Sequence, residues 1–421
     1  MNKVLIITYY WPPSGGAGVQ RWLKFSKYLP QYGWEPYILT VDPKYATYPA
    51  IDHSLEMDIP HNIKVFRTKA TDWFRFYGSD KSKVPLGGFA SNKDDSFKGK
   101  FLRFIRGNFF VPDPRRGWNK YALKKAIEMI DIEKINHIIT TSPPHSTQLI
   151  GLKLKKSYPG IKWIADLRDP WTDIYYYDLF YPLCISKKID LFYEKKVLEN
   201  ASVITTVGPS LKKFFQSKIP YEKEKIMILH NGYDESDFYN EAVSNPSQFT
   251  ISYTGTLSES YPVEGFIRAF REVLSAGQKI SLKFTGHISN VLKMHFISAI
   301  GIENLEFNPY ADHKTVIRQM LLSSMQLLIL AKDPQNRSFL PGKLFEYIAS
   351  GKPILCLGPT DGDTAEILEN GGFGKCFDYE DSTGMAEYIL SSINSEIQPA
   401  KRAPMEFSIK TLTMKIARLL E

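Results

Sequence analysis

The sequence predicts an α/β protein built from two doubly wound parallel sheets, and three observations lead to this fold class. Short β-branched runs alternate with helix-length segments along almost the whole chain, a pattern typical of parallel sheets covered by helices on both faces. At least twelve strand candidates are present, which is too many for one sheet of ordinary size. The length of 421 residues favours two or three domains.

The strand candidates form two sets, one before residue 230 and one after residue 248. The first set is Val4–Thr8, Pro36–Thr40, Lys64–Arg67, Ile138–Thr141, Lys162–Ala165, Val203–Thr206 and Lys225–Leu229. The second set is Thr250–Tyr253, Ser281–Thr285, Leu305–Phe307, Leu327–Leu330 and Ile354–Cys356. Helix-length segments between them include Gln20–Tyr32, Asn119–Ile130, Ser146–Lys156, Val263–Ser275 and Lys343–Ser350.

A polar stretch over residues 231–248 gives the predicted domain boundary. It contains Asn231-Gly232 and Asn245-Pro246, pairs that favour turns, and a strand candidate follows it directly. We therefore predict an N-terminal Rossmann-like domain over residues 1–230, a linker over 231–248 and a C-terminal Rossmann-like domain over 249–405. Residues 406–421 have apolar positions at helical spacing, and this helix is expected either to close the second domain or to cross back to the first.

The segment over residues 68–118 has no convincing strand and is rich in basic and aromatic residues. Its cations and rings include Trp73, Phe74, Phe76, Tyr77, Lys81, Lys83, Lys93, Lys98, Lys100, Phe101, Arg103, Phe104, Arg106, Phe109, Phe110, Arg115 and Arg116. Interleaved cations and aromatics suit a segment at a membrane surface. They equally suit a loop that packs its own rings.

Composition excludes a disordered, fibrous, disulfide-stapled or membrane-spanning protein. A hydrophobic fraction of 43% and a charged fraction of 23% are ordinary for a globular chain. Three scattered cysteines (Cys184, Cys356 and Cys376) cannot form a disulfide framework or a cysteine-rich metal site. The N-terminal apolar run stops at Pro12, so it does not resemble a signal peptide. We expect a cytoplasmic protein.

Positive charge is concentrated in the first half of the chain. Residues 1–210 contain 31 Lys and Arg against 20 Asp and Glu, whereas the remainder contains 22 against 25. This asymmetry suggests an anionic partner, and an anionic surface on the inner face of the cell membrane is one hypothesis. A solvated basic surface is the alternative. Nucleic acid is not expected, because no recognition motif accompanies the basic residues.

The first candidate site is the glycine-rich loop that follows the first strand. It contains Gly15, Gly16 and Gly18 and leads into a helix. Glycines allow close approach of backbone to a ligand, and a helix N-terminus offers amides to an anion. The spacing is not that of a nicotinamide dinucleotide site. A tight turn without a ligand is the alternative interpretation.

The second candidate site follows two central strands. Asp166, Arg168 and Asp169 come directly after the strand Lys162–Ala165, and His145 follows the strand Ile138–Thr141. Open α/β sheets bind ligands at these carboxyl ends, so one carboxylate could orient or deprotonate an acceptor hydroxyl. Alternatively, the charged residues only lock the loop, and His145 is a structural hydrogen-bonding group.

The third candidate site opens a late helix. Pro341 and Gly342 precede this helix, and Gly351 with Pro353 ends it. The amides of Gly342 and Lys343, with the side chains of Lys343 and Arg337, could hold a diphosphate. Glu346 lies one turn further on and could accept hydrogen bonds from ribose hydroxyls.

These motifs together resemble family 4 glycosyltransferases, which have the GT-B fold of two Rossmann-like domains facing across a cleft. The resemblance spans most of the chain and also includes His230-Asn231-Gly232-Tyr233-Asp234 and Tyr253-Thr254-Gly255-Thr256-Leu257. The segment Pro341-Gly342-Lys343-Leu344-Phe345-Glu346-Tyr347 is its most specific part.

The resemblance implies a retaining, metal-independent hexosyltransferase that takes a nucleotide sugar and uses no cofactor. The donor would bind mainly to the C-terminal domain, at Gly255, Thr256, Arg337, Gly342, Lys343 and Glu346. Gly15 and Gly16 match the loop that lies over the donor phosphates, and the acceptor would bind to the N-terminal domain. The base is not assigned to one residue among Asp166, Arg168, Asp169 and His145.

The sequence departs from the family pattern at one residue and one segment, and a third segment resembles a metal-binding motif. Ser338 stands where the family has the first of its two spaced glutamates, of which Glu346 is the second. The basic pair expected after the first strand of the second domain is replaced by Thr256-Leu257-Ser258-Glu259-Ser260, so Lys343 or Arg337 would take over the phosphate. Asp361-Gly362-Asp363 formally matches a metal-binding pair, but we interpret it as a turn and helix cap.

The function we expect is transfer of a sugar to a glycan or lipid-linked acceptor in the synthesis of a cell-envelope or exported polysaccharide. Two alternatives remain open. One is a nucleotide-sugar epimerase of the same fold, which would need no acceptor. The other is an inactive nucleotide-sugar-binding subunit, a hypothesis kept open by Ser338.

Overall fold

A computed structural model describes residues 1–48, 51–71, 73, 96–174, 176–238, 248–394 and 403–421. The chain forms two compact units. The first comprises Met1–His230 with Ile409–Glu421, and the second comprises Asn231–Ser408. Part of the predicted basic insertion and half of the predicted linker, residues 239–247, lie outside the described residues.

The first unit is built on a seven-stranded parallel sheet. Its strands are β1 (Asn2–Ile7), β2 (Trp34–Val41), β3 (Lys64–Thr68), β4 (His137–Ser142), β5 (Lys162–Leu167), β6 (Val203–Thr206) and β7 (Ile226–Ile228). They lie in the order β3-β2-β1-β4-β5-β6-β7. The order reverses between β1 and β4, which makes their carboxyl ends a topological switch point.

Helices cover both faces of this sheet. They are α1 (Ala17–Tyr28), α2 (Phe97–Phe109), α3 (Asn119–Glu133), α4 (Gln148–Ser157), α5 (Cys184–Asn200) and α6 (Pro209–Lys218). Leu5 and Ile7 belong to one buried cluster, whereas Val4 and Ile6 belong to another. A strand that is apolar on both faces is the physical reason for the continuous apolar run at the start of the sequence.

The second unit is built on a six-stranded parallel sheet. Its strands are β8 (Phe249–Leu257), β9 (Ile280–Ile288), β10 (Leu305–Asn308), β11 (Met325–Ile329), β12 (Ile354–Leu357) and β13 (Gly374–Phe377), in the order β10-β9-β8-β11-β12-β13. Its helices are α7 (Glu264–Ser275), α8 (Asn290–Ile300), α9 (His313–Leu322), α10 (Lys343–Ala349), α11 (Asp363–Gly371) and α12 (Ser382–Ile393). Here the switch point lies between β8 and β11.

The C-terminal helix α13 (Ile409–Leu420) belongs to the first unit. Its apolar stripe of Leu412, Ile416 and Leu420 is buried in a cluster that also contains residues of α1. The hydroxyl of Tyr32 donates to the carbonyl of Lys410 at 3.0 Å. Of the two positions that the sequence allowed for this helix, the structure therefore has the one on the first unit.

The predicted fold class is confirmed, since two parallel sheets with helices are present. Each of the twelve predicted strands overlaps an observed strand. The structure adds β13, a short run with a glycine and a lysine, and α2, a helix inside the segment where no element was predicted. No helix within the described ranges is both long enough and apolar enough to cross a membrane.

Candidate functional site

Asp166, at the end of β5, is enclosed by hydrogen-bond donors. Its carboxylate accepts hydrogen bonds from Arg21 Nε and Nη2 at 3.2 and 3.0 Å and from the indole of Trp22 at 2.9 Å. The hydroxyls of Thr141 and Thr205 add two more, at 2.8 and 2.9 Å. Burial alone would raise the pKa of Asp166, but the charge and hydrogen bonds of Arg21 outweigh it, so the pKa is lowered.

Asp166 therefore links α1, β4, β5 and β6. Arg21 extends the link, because it also donates to the carbonyls of Leu229 and His230 at 2.9 and 2.8 Å. The Asp166 side chain is 0% exposed, so its carboxylate offers no accessible acceptor. Of the two interpretations drawn from the sequence, the locked loop fits Asp166 better than contact with an acceptor.

Arg168 and Asp169 lie one and two residues beyond β5 and are half-buried. Arg168 Nε donates to the carbonyl of Ser142 at 3.0 Å. A Cβ at Gly18 would lie 3.2 Å from Arg168 Nη2, so a glycine at this position lets the guanidinium lie against the start of α1. Burial raises the pKa of the Asp169 carboxyl, although Arg168 acts in the opposite direction. Within the described part of the chain, no hydrogen bond to this carboxylate is found.

His145 follows β4 at the same edge of the sheet. Its ring stacks on Trp171 with centroids 5.0 Å apart and an angle of 14° between the planes. Both ring nitrogens are buried and lack a hydrogen-bond partner among the described residues. Burial lowers the pKa of His145 to about 3. His145 is thus a neutral imidazole whose ring nitrogens are buried.

The glycine-rich loop connects β1 to α1 at this switch point. Gly16 has φ of +100°, a conformation that favours glycine, and a Cβ there would meet nothing within 4 Å. The loop is anchored from the other side, since Arg67 donates to the Pro12 carbonyl at 2.9 Å and the Asp52 amide to the Pro13 carbonyl at 2.8 Å. The predicted contacts of Gly15 and Gly16 with the phosphates of a nucleotide-sugar donor stay predictions.

In the second unit, Lys343 at the start of α10 points to the end of β8. Its ammonium donates to the Thr254 carbonyl at 3.1 Å and lies 3.9 Å from the centre of the Tyr253 ring. In the part of the chain that the structure describes, it forms no ion pair with a carboxylate. Burial lowers the pKa of Lys343 to about 7. The result is a half-buried amine at the β8–β11 switch point that has no carboxylate within ion-pair distance among the described residues, although Glu346 acts on it electrostatically.

The end of β8 is built for close approach of backbone. Gly255 and Gly286 face each other in the register of β8 and β9 and have φ of +114° and +127°. A Cβ at Gly286 would lie 2.3 Å from the Gly255 carbonyl oxygen. Gly255 and Thr256 are exposed, although the Thr256 carbonyl already accepts a hydrogen bond from the Tyr253 hydroxyl at 2.8 Å. The Tyr347 hydroxyl, which accepts from the Thr254 amide at 3.0 Å, fixes α10 to this strand.

Glu346 lies one turn after Lys343 and has a partner that the sequence did not reveal. Its Oε1 is 2.9 Å from His313 Nε2, with the two side chains 19% and 15% exposed. Asp237 lies further along, with its Oδ2 3.9 Å from His313 Nδ1. The accessible remainder of the Glu346 carboxylate can still accept hydrogen bonds. A histidine in the first turn of a separate helix carries no motif, so only the structure identifies it.

Arg337 and Gly342 complete the predicted donor residues. Arg337 Nη2 pairs with Asp361 Oδ2 at 3.2 Å, and both side chains are largely exposed. The structure gives no contact between Arg337 and Lys343. Gly342 immediately precedes α10 in helical conformation. Asp361 and Gly362 form the turn predicted before α11, with Gly362 at the N-cap position, but no side chain caps the helix because Asp363 is its first residue.

Metal-ligating residues do not cluster in the described ranges, where no group of three or more His, Cys, Asp or Glu side chains could hold an ion. The sequence also did not reveal the contact of Gly18 with Arg168 or that of Trp22 with Asp166, which join segments about 145 residues apart. Such long-range contacts cannot be predicted from the spacing of residues along the chain.

Comparison with known proteins gives one partial sequence match and several matches to the fold. No protein-family model matches the chain. A protein of Bacillus subtilis (strain 168), described as the putative teichuronic acid biosynthesis glycosyltransferase TuaH, is 24% identical over 178 residues. That alignment covers 40% of this chain and 43% of TuaH, less than half of the relative's length.

Three solved structures resemble the chain over nearly its full length. WaaG, a glycosyltransferase involved in lipopolysaccharide biosynthesis, has a TM-score of 0.60 and 13% identity, covering 99% of each chain. A glycosyltransferase from Rickettsia africae ESF-5 has a TM-score of 0.62 and 13% identity, covering 100% of each chain. A putative UDP-N-acetylglucosamine 2-epimerase from Listeria monocytogenes has a TM-score of 0.58 and 12% identity, covering 98% of this chain and 94% of the epimerase. At these identities the likeness concerns the fold, and this chain has the α/β architecture of the GT-B glycosyltransferases.

Proposed function

We propose that the protein is a glycosyltransferase that moves a sugar from a nucleotide-sugar donor to a glycan or lipid-linked acceptor. The observation that carries the proposal is Lys343, a half-buried amine at a switch point that forms no ion pair with a described carboxylate. Burying a charge without a counter-charge is unfavourable. A diphosphate bound at this position would supply the missing negative charge.

The donor site that we propose lies at the carboxyl end of β8. Lys343 would contact the diphosphate, and the exposed backbone of Gly255 and Thr256 would lie beside it. Glu346 would accept hydrogen bonds from the ribose while His313 holds its other oxygen. As the sugar–diphosphate bond breaks, charge accumulates on the leaving diphosphate, and removing one stabilising donor typically costs about 2.7–4 kcal/mol. Arg337 would contact the diphosphate only after its ion pair with Asp361 is broken.

The acceptor site that we propose lies at the β1–β4 switch point of the first unit. The half-buried carboxylate of Asp169 accepts no hydrogen bond from a described residue. It would therefore orient or deprotonate the acceptor hydroxyl. His145 would act by position, because both of its ring nitrogens are buried and its ring stacks on Trp171. Arg168 and Asp166 would act by position, since their polar atoms hold neighbouring elements.

Finer features of the reaction belong to the same proposal. We infer retention of stereochemistry, a hexosyl donor and a reaction without metal or other cofactor from the resemblance of the motifs to family 4 enzymes. A role in cell-envelope or exported polysaccharide synthesis is supported by the descriptions of TuaH and WaaG.

Product analysis tests the proposal and separates its alternatives. The protein would be incubated with UDP-, GDP-, ADP- and dTDP-sugars, with and without a polyprenyl-linked or oligosaccharide acceptor, and the products identified by mass spectrometry and NMR. Transfer predicts release of nucleoside diphosphate that depends on the acceptor. A new nucleotide sugar formed without acceptor would instead indicate the epimerase, whose fold is also similar. Binding without turnover would indicate an inactive subunit.

A further inference from the structure

The first three turns of α5 bury a polar face and expose an apolar one. Ser186, Asp190 and Glu194 are only 5%, 3% and 1% exposed, respectively. On the opposite side, Ile185, Ile189 and Phe192 are 71%, 40% and 56% exposed, and their spacing places them in one stripe. A helix at the surface of a globular protein ordinarily has the reverse arrangement. We therefore expect this exposed apolar stripe to bind another apolar surface.

Helix α2 presents a second exposed apolar edge. Phe97, Phe101 and Phe109 are 87%, 53% and 72% exposed. The same helix contains four basic residues and no acidic residue. Of these, Lys98 and Lys100 are exposed and form no ion pair within the described ranges. Exposed rings beside unneutralised cations are the composition of an interfacial helix rather than of a helix in a folded core.

The two helices form one fixed surface. The side chain of Asn108 donates to the Tyr181 carbonyl at 3.0 Å and accepts from the Leu183 amide at 2.7 Å and the Ser186 hydroxyl at 3.0 Å. A Cβ at Gly107 would lie 2.3 Å from the Phe180 carbonyl oxygen, so the glycine permits this close packing. We name the exposed residues Phe97, Phe101, Leu183, Ile185, Ile189 and Phe192 the α2–α5 surface.

We propose that the α2–α5 surface binds the anionic face of a lipid bilayer. The apolar side chains would enter the boundary between headgroups and acyl chains, and Lys98, Lys100 and the exposed Lys188 would contact anionic headgroups. An ordinary protein partner would not require the excess of positive charge on α2. The positive charge of the α2–α5 surface therefore indicates an anionic occupant.

The position of this surface fits a membrane-bound substrate. Trp171, which stacks on His145, donates to Asp190 on the buried face of α5 at 2.9 Å. The start of α5 thus lies at the same end of the sheet as His145 and Asp169. If the proposed transfer is correct, a lipid-linked acceptor in the bilayer would reach this end of the unit. Membrane binding itself does not depend on that reaction.

Vesicle flotation tests the proposal with the full-length protein. Wild type is expected to float with vesicles that contain phosphatidylglycerol, to bind pure phosphatidylcholine far more weakly, and to lose binding as salt is raised. The variant Lys98→Glu/Lys100→Glu should bind anionic vesicles at least about 30-fold more weakly, because each cation near the surface contributes a factor of about five. The variant Ile185→Asp/Phe192→Asp should bind weakly at low salt as well.

Matched variants control for nonspecific effects. Lys153→Glu/Lys213→Glu reverses two exposed lysines elsewhere on the same unit, and Val291→Asp/Met294→Asp introduces acid at exposed apolar positions of α8. Both should bind like wild type, and unchanged circular dichroism would show that all variants are folded. Absence of wild-type binding at low salt would overturn the proposal. It would also fail if the surface variants bound normally, or if they only dissociated a dimer measured by analytical ultracentrifugation.

Discussion

Lys343 shows how a single residue can serve binding at the expense of stability. Its ammonium loses part of its water and, among the described residues, receives a carbonyl and two aromatic rings in return. We predict that Lys343→Met raises the melting temperature of the free protein by about 2–4 °C, equivalent to about 1 kcal/mol. The same substitution should abolish binding of the nucleotide sugar. Differential scanning calorimetry and titration calorimetry measure both; a variant that is destabilised and still binds would contradict this role.

The charge state of Lys343 also gives donor binding a pH dependence. A pKa of about 7 in the free protein means that the ammonium predominates below pH 7 and the neutral amine above it. A diphosphate favours the ammonium, so affinity should be constant below pH 7 and fall by up to about tenfold per unit above it. A nucleotide sugar is the suitable probe, because its diphosphate stays ionised from pH 6 to 9. The Lys343→Met variant should show no such slope, and a flat wild-type profile would contradict the assignment.

Asp166 and Asp169, three positions apart, should respond differently to the same substitution. Asp166→Asn weakens an ion pair in which Arg21 is buried, and should lower the free energy of unfolding by about 3 kcal/mol or more. Asp169→Asn removes a carboxylate whose pKa burial raises, so stability should be kept or increased while kcat falls by about 10²–10⁴-fold. Denaturant unfolding and initial rates distinguish the two. Equal losses of stability would show that Asp169 is structural too.

At the scale of elements, strands and most helices could be predicted because their cause is local. Leu5, Ile6 and Ile7 are apolar in sequence and buried on both faces of the sheet. Strand β13 escaped prediction because Gly374 and Lys375 interrupt its apolar pattern. Helix α2 escaped because its exposed rings do not follow the usual inward periodicity, which is the property that the membrane proposal explains.

The paired ends of β8 and β9 give a prediction at this scale. Gly286 has φ of +127°, and a Cβ there would lie 2.3 Å from the Gly255 carbonyl oxygen. Gly286→Ala should therefore push β9 away from β8 and cost more than the usual 1 kcal/mol of glycine replacement at positive φ. Nucleotide affinity should fall with it, since Gly255 lies beside Lys343. Gly277→Ala has positive φ but open space around its Cβ, and it is the control for backbone strain alone.

At the scale of the whole molecule, each unit concentrates unusual chemistry at its topological switch point. Sequence pattern was enough to locate the carboxyl ends of the strands, because these follow from element order, whereas the strand order that defines the switch points comes from the structure. It was not enough to find partners such as Arg21 for Asp166, 145 residues apart, or His313 for Glu346, 33 apart. Those contacts are created by the packing of helices onto the sheet, so no spacing rule predicts them.

The central claim is that the second unit binds the diphosphate of a nucleotide sugar at Lys343 and its ribose at Glu346. Thermal shift with UDP, GDP, ADP, dTDP and their sugars, on wild type, Lys343→Met and Glu346→Ala, tests it most directly. Glu366→Ala, which removes an exposed carboxylate of α11, is the control. Ligand at 100 times its Kd should stabilise wild type by about 2.7 kcal/mol. We predict a shift with one nucleotide that survives in the control and is lost in both site variants. No shift with any nucleotide, or an equal shift in all four proteins, would contradict the claim.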